Sequence, residues 1–135
     1  MSNLPIFDVA GSAMTAQSVR LSTIASNLSN ADSVAGKPED AFKAKLPIFS
    51  AEQIGSDPAL HGVRVSEVRD SQAAPLKRFE PNHPLADGDG YVYAPAIDPV
   101  AQMVDLISAS RSYQANVEVF NTAKELAVAT LSMGR

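Results

Sequence analysis

Residues 7–31 read Phe7-Asp-Val-Ala-Gly-Ser-Ala-Met-Thr-Ala-Gln-Ser-Val-Arg-Leu-Ser-Thr-Ile-Ala-Ser-Asn-Leu-Ser-Asn-Ala31. Phe7, Met14, Leu21 and Leu28 recur at heptad spacing on one line, and Ala10, Ile24 and Ala31 lie on the neighbouring line, where Gln17 is the one break. Two apolar lines at that spacing form the seam of a helix with a coiled-coil partner. The rest of the helix surface is unusual, because from Val9 to Ala31 the only charged residue is Arg20 and the polar positions are filled by Ser, Thr and Asn. These are mediocre helix formers that compete for backbone hydrogen bonds. A solitary surface helix would carry Glu and Lys there, so the face is suited to close helix packing rather than to water.

Proline separates this helix from the middle of the chain, since inside a helix it removes a backbone donor and clashes with the preceding turn. Seven of the nine prolines fall between Pro38 and Pro95, and the other two, Pro5 and Pro99, stand where a helix can begin. Charge divides the chain in the same way, with 17 of the 26 Asp, Glu, Lys and Arg residues between Asp32 and Ile97. The chain therefore reads as three units: an N-terminal helix within residues 1–31, a more solvated middle over 32–97, and a C-terminal helix over 98–135.

Asp98-Pro99 supplies an N-cap followed by proline at the first helical position. The apolar seam of the last helix then steps through Met103, Leu106, Ser110, Tyr113, Val117, Phe120, Lys124, Ala127 and Leu131. Such a helix is about 50 Å long at 1.5 Å per residue, too long for a thin core to cover. The two terminal helices need each other and neighbouring molecules. In the middle, Gly62-Val-Arg-Val-Ser66 and Gly90-Tyr-Val-Tyr93 alternate as strands do, and the alternation over residues 42–49 is interrupted by Pro47, which restricts that piece to a sheet edge. The fold class is α+β, with a small β-rich middle inserted between long helices.

Composition narrows the function. A net charge of -4 and a pI near 5.0, with no basic cluster larger than Lys77-Arg78, argue against nucleic acid as partner. The absence of cysteine excludes disulfides and thiolate chemistry. The sequence at the N-terminus has neither the basic start nor the apolar run of a cleaved secretory signal, and no stretch approaches the roughly 18 to 20 apolar residues of a membrane span, so no direct membrane insertion is expected. His61 and His83 lack a second ligand at a recognised zinc spacing, and Asp87-Gly-Asp-Gly90 lacks the later ligands of a calcium loop and reads as a tight turn. No catalytic, cofactor or metal site is expected, and an enzyme acting on peptidoglycan would need a cleft with two positioned carboxylates, for which a middle of about 60 residues has little room.

Two segments carry a family resemblance. Arg20-Leu-Ser-Thr-Ile-Ala-Ser-Asn-Leu-Ser-Asn-Ala-Asp32 resembles the N-terminal signature of flagellar rod and hook proteins, R-L-x-x-I-A-x-N-L-A-N-x-x-T, with Ser29 for the usual Ala and Ser33 for the usual Thr. Met103-Val-Asp-Leu-Ile-Ser-Ala-Ser-Arg-Ser-Tyr-Gln-Ala-Asn116 resembles the matching C-terminal signature, E-M-x-x-L-I-x-A-x-R-x-Y-x-A-N, with Gln102 where Glu is common. Pro81-Asn-His-Pro84, Gly90-Tyr-Val92 and the short length are similar to the proximal-rod members rather than to the longer distal-rod and hook proteins; Pro95-Ala-Ile97 departs from the Pro-Asn-Val usual there.

The resemblance implies a structural subunit of the bacterial flagellar basal-body rod, exported uncleaved by the flagellar type III apparatus. It would be assembled in the periplasm with itself and other rod subunits, for motility. It also implies that the terminal helices pair as an antiparallel coiled coil in the inner layer of a tube. The assembly interface expected from the signatures comprises Arg20, Leu21, Ile24, Asn27, Leu28, Asn30, Met103, Leu106, Arg111, Tyr113, Asn116 and Phe120. Arg20 and Arg111 are expected to reach other subunits, and Asn27, Asn30 and Asn116 to supply amide hydrogen bonds between packed helices. The alternative is a helical-hairpin component of a virulence-type secretion apparatus, which pairs terminal helices but usually lacks both signatures.

Overall fold

A computed structural model describes residues 5–134; the ends of the two terminal units, residues 1–4 and Arg135, lie outside the described residues. Helix α1 spans Pro5–Ser29 and helix α2 spans Pro99–Met133. Between them lie a single 3-10 turn at Pro38–Asp40 and four strands: β1 Lys45–Gln53, β2 His61–Asp70, β3 Leu76–Phe79 and β4 Tyr91–Ala94. The strands form two antiparallel hairpins, β1-β2 and β3-β4, rather than one sheet. The architecture is α+β.

Each helix end has a local cause. Asp98 Oδ1 accepts from the backbone N–H groups of Val100 and Ala101 at 2.9 and 3.3 Å, and Pro99 takes the first helical position, where its missing donor is not needed. α1 stops well before the first middle proline, because Asn30 turns back on the helix and donates through Nδ2 to the Ser26 carbonyl, while Ser33 Oγ donates to the Asn30 carbonyl. The same two carbonyls also accept the backbone N–H groups of Asn30 and Ser33, so each side chain adds a second bond where the helix ends.

α1 and α2 run antiparallel along each other. Phe7 meets Phe120 with ring centroids 4.9 Å apart and an interplanar angle of 66°, Arg20 faces Asp105 at 3.6 Å, and Asn27 reaches Gln102 at 3.1 Å. The buried and half-buried positions of α2 include a line at Gln102, Leu106, Ala109, Tyr113, Asn116, Phe120, Ala123 and Ala127, in alternating steps of four and three, flanked by half-buried Asp105, Ser110, Ser112 and Val117. This corrects the seam expected from sequence at one position in three: Met103, Lys124 and Leu131 point to solvent, and the line beside them is filled by Ala109 and Ala123. Small side chains let the helix backbones approach closely, and the larger apolar residues are displaced to the outside. Gln17, the break in the α1 seam, buries an Oε1 that has no hydrogen-bond partner among the described residues.

Phe120 is half-buried, so its truncation to Ala should destabilise the chain by about 2 kcal/mol, below the range of a fully buried aromatic and including the edge-to-face contact with Phe7. Urea unfolding of Phe120→Ala, Phe7→Ala and the double variant checks this. A double variant equal to the sum of the singles would deny a direct coupling between the rings.

The β1-β2 hairpin lies against the Ser-rich side of α1. Ser12 Oγ accepts from the Val63 N–H at 3.2 Å and itself donates to the Val9 carbonyl at 2.8 Å. The approach is possible because β2 has glycine there: a Cβ at Gly62 would lie 2.6 Å from both Ser12 Oγ and Ile54 Cδ1. The face read as suited to helix packing therefore receives a hairpin of the same chain at Ser12, Thr23 and Asn27, while Thr15, Ser18, Ser22, Ser26 and Ser29 stay in solvent. Pro47 sits within β1 opposite Val68, which a two-stranded hairpin tolerates because each strand keeps a free edge. The register shifts between Ile48 and Phe49, and Ser66, left over on β2, donates through Oγ to the Ile48 carbonyl at 3.0 Å. Gly62→Ala should displace Ser12 and lower stability by about 1 to 2 kcal/mol. Thermal unfolding in a Ser12→Ala background should show a smaller penalty; an equal one would place the clash elsewhere.

The β3-β4 hairpin is fixed to the loop that follows α1 by an isolated bridge in which Ala35 and Tyr93 exchange both backbone hydrogen bonds at 2.9 Å. Its connection is organised by Asp87, whose carboxylate accepts from the N–H groups of Tyr91 at 2.8 Å and Asp89 at 3.0 Å and from the Tyr93 hydroxyl at 3.1 Å. These bonds make Asp87-Gly-Asp-Gly90 a turn, with Gly90 at φ 83° closing it. The Tyr91 N–H, before the other donors, holds the Asp87 carboxyl below its ordinary 3.8, and the same carboxylate raises Tyr93 above its ordinary 10.0. Asp87 thus adds stability that is complete above the unfolded-state value and lost as pH falls through the lower folded one. Tyr93 contributes below its ordinary value and loses that contribution as pH rises through the folded one. The drop in melting temperature between about pH 5 and about pH 3 should be smaller in Asp87→Ala than in the parent; an unchanged drop would show that the turn's carboxylate is not linked to folding.

Candidate assembly interface

The residues of the two signatures divide into those the chain uses internally and those it leaves outside. Ile24 is buried and Leu21, Leu28, Leu106, Tyr113 and Phe120 are half-buried, so these six belong at least in part to the α1/α2 pairing and its flanks. Met103 is 51% exposed and, with Val100, Val104 and Ile107, forms an apolar strip on the outer side of α2.

Asn27 is the most connected polar residue. It is 2% exposed, donates through Nδ2 to the Lys45 carbonyl at 2.9 Å and to Gln102 Oε1 at 3.1 Å, and accepts on Oδ1 from the Lys45 N–H at 2.7 Å. Its amide therefore pairs with β1 as a neighbouring strand would and joins α2 as well. An unpartnered amide at that depth would be destabilising, and here every strong group has a partner. Lys45 is further held by Asp70, its cross-strand neighbour, at 2.5 Å.

The other two asparagines behave differently from the expectation of bonds between helices. Asn30 donates to Ser26 and Asn116 donates to the Ser112 carbonyl at 2.8 Å, each within its own helix. The reason is spacing: an Asn four residues beyond a free or half-exposed carbonyl reaches it without crossing to another element. The arginines separate as well. Arg20 faces Asp105 of its own chain across a partly exposed pair, a contact of small energetic weight, whereas Arg111 is exposed and has no ion-pair partner among the described residues.

α2 outruns α1. It continues from Phe120 to Met133, while α1 begins at Pro5, only two residues before Phe7. The overhang exposes Leu126 at 63%, Val128 at 59% and Leu131 at 75%, and Leu126 and Leu131 form, with Ile6 and Val119, an open apolar groove.

The polar middle offers little chemistry. His83 Nδ1 accepts from the Leu85 N–H at 3.1 Å and serves its own turn. Among the described residues no group of three or more His, Asp or Glu is placed to hold a metal ion, and no helix is long and apolar enough to cross a membrane.

Comparison with known proteins places this frame. Residues 7–36 match the family described as flagella basal body rod protein, and residues 89–133 match the C-terminal family of the flagellar basal body rod FlgEFG proteins. Over 137 aligned residues that span the whole of both chains, the sequence is 51% identical to the flagellar basal-body rod protein FlgC of Escherichia coli O6:H1. The chain belongs to the FlgC family of flagellar basal-body rod proteins. The likeness to FlgC of Salmonella typhimurium is 49% over 135 residues and again covers both chains fully; that to FlgC of Aquifex aeolicus is 41% over 121 residues, 88% of this chain and 87% of the relative.

Within this rod-protein family, both signatures fall inside the matched segments, and residues 37–88 between them hold the β1-β2 hairpin and β3. Three residues that organise the fold give little sign of it in the sequence. Gln102 is visible there only as a departure from Glu, Ala109 is a specified position of the signature but has no side chain that hydrophobic spacing would pick out, and Ser12 looks like one more polar surface residue. Gly62 inside a strand pattern is the one available sign that a backbone approaches closely there.

Proposed function

We propose that this basal-body rod subunit occupies the proximal rod, that it is exported uncleaved through the flagellar type III apparatus, and that it assembles with copies of itself and with other rod subunits by packing its terminal helices. The observation that carries the reading is the uncovered apolar surface of α2, Val100, Met103, Val104 and Ile107 on one side and Leu126, Val128 and Leu131 on the overhang. A lone chain gains nothing from these side chains in water, and an assembly buries them at roughly 25 cal/mol per Å².

In this reading α1 and α2 form an antiparallel coiled coil facing the inside of a tube, and the hairpins face outward. The chain divides into an axial helix over 1–31, a β-rich unit over 32–97 and a second axial helix over 98–135. Met103 and Arg111 are the signature residues most available to neighbouring subunits, while Arg20, Leu21, Ile24, Asn27, Leu28, Asn30, Leu106, Tyr113, Asn116 and Phe120 set the shape that is presented. The role is structural and not enzymatic. Family membership displaces the alternative of a virulence-type secretion component.

Export and placement are tested together by following a tagged chain in cells. It should be recovered at full length in purified basal bodies, and it should remain in the cytoplasm when the flagellar export ATPase is inactivated. Periplasmic chain in the inactivated strain would argue for another route.

A further inference from the structure

The seams of both helices repeat every seven residues, which leaves their relative register underdetermined by apolar packing. In α1 the apolar line is Phe7, Met14, Leu21 and Leu28; in α2 the two lines are Gln102, Ala109, Asn116 and Ala123, and Leu106, Tyr113, Phe120 and Ala127. Sliding α1 by one heptad, about 10 Å at 1.5 Å per residue, sets seam against seam again. There is room for the slide in one direction only. α2 begins at Pro99, level with the end of α1, but its other end runs more than two turns past Phe120 and carries Leu126 and Leu131 uncovered.

What distinguishes the two registers is polar. In the observed register the buried Asn27 amide meets Gln102 Oε1 at 3.1 Å; one heptad on, the same line of α2 offers Ala109, which is fully buried and has only a methyl group. The other cross-helix polar contact, Arg20 with Asp105, is partly exposed and weak. From this we infer that Asn27 and Gln102 form a register key that selects one of two heptad-related pairings of α1 on α2. Through Lys45 the same amide also ties the position of the β1-β2 hairpin to that choice. A buried amide facing a seam is well suited to this, because the shifted pairing keeps its two bonds to Lys45 but turns its remaining donor, and the Gln102 Oε1 it leaves behind, away from any partner on the other helix. The key concerns the folded chain itself and does not depend on the rod assignment.

Because the chain has no cysteine, the register can be read by cross-linking. Arg20→Cys with Asp105→Cys reports the observed register, and Arg20→Cys with Ser112→Cys reports the pairing one heptad on; both pairs of substitutions also remove the weaker ion pair. With Asn27 present, a short bismaleimide should join only the first pair. With Asn27→Leu, or with Asn27→Leu and Gln102→Leu together, both pairs should cross-link, the second rising at least about tenfold, a shift of about 1.4 kcal/mol in the balance of registers. Far-ultraviolet circular dichroism on the same proteins should show helix content unchanged. A first pair that alone cross-links in every background would overturn the key, as would a first pair that fails with Asn27 present. Loss of helix content in both Leu variants would also overturn it, since Asn27 would then support the fold without choosing the register.

Discussion

Replacing Ala109 by Leu should destabilise the chain by about 3 kcal/mol and splay the two helices, the largest loss expected from a single added side chain. Ala109 is fully buried on the line that carries Gln102 and Asn116, where the helix backbones come close. A Leu side chain there has no groove to enter without separating α1 from α2 or leaving a poor rotamer. Ser110→Leu is the control. Ser110 lies next to the seam and is only half-buried, so its replacement should change stability by less than about 1 kcal/mol. Urea denaturation of the two variants ranks them. A tolerated Ala109→Leu beside a damaging Ser110→Leu would mean that α2 is rotated by one residue, with the seam that a simple reading of hydrophobicity suggests.

Arg111→Ala should leave folding untouched and abolish or severely weaken swimming. The side chain is exposed, lies off the seam and makes no ion pair among the described residues, so truncation should alter unfolding free energy by no more than about 0.5 kcal/mol. An arginine at the centre of a protein contact is worth about 2 kcal/mol, or about thirtyfold in affinity, and a subunit held by neighbours on several sides repeats that loss. Three readings on one strain separate the causes: chain exported to the periplasm, thermal unfolding of the purified protein, and swimming on soft agar. Normal swimming would remove Arg111 from the interface, and failure through an unfolded chain would assign it to the stability of the α1/α2 pairing.

The side of α1 that packs is legible in the sequence because Phe7, Met14, Leu21 and Leu28 are large, regularly spaced and all half-buried, although the deepest positions include Ala16, Thr23 and Asn27, which the apolar lines do not contain. The α2 seam is not legible to the same degree, for a physical reason. α2 carries apolar residues around much of its circumference, and Val100, Val104, Ile107 and Leu131 are large apolar side chains at least 60% exposed. A hydrophobic pattern identifies surface that is to be buried, but it cannot tell burial against the same chain from burial against another. Close approach is instead marked by Ala109 and Ala123, which a search for large side chains passes over. The strands β2 and β4 are readable from alternation, whereas β3, with all four residues exposed, owes its place to pairing with Tyr91–Ala94 rather than to any pattern of its own. The docking of the first hairpin on α1 uses the Asn27 amide together with one glycine and one serine hydroxyl, and the last two are residue types too common in loops and strands to be singled out.

The interface residues sort along the same line. Large signature residues such as Leu106 and Tyr113 can be placed on the helix seam or its flank from spacing alone. The polar ones cannot, because the choice between a partner on the same helix, on the opposite helix or on another subunit turns on a few ångströms. Asn30 and Asn116 take the nearest carbonyl, Asn27 reaches two other elements, and Arg20 finds a carboxylate in its own chain.

Membership of the rod-protein family makes the decisive measurement one on the organelle. The coding region is deleted and basal bodies are purified and imaged by electron microscopy, with a plasmid copy restored in a parallel strain. A structural rod subunit should leave, on its removal, basal bodies that lack a completed rod, hook and filament and cells that do not swim, with both structure and motility recovered from the plasmid. Intact rods and normal swimming in the deletion strain would contradict that role.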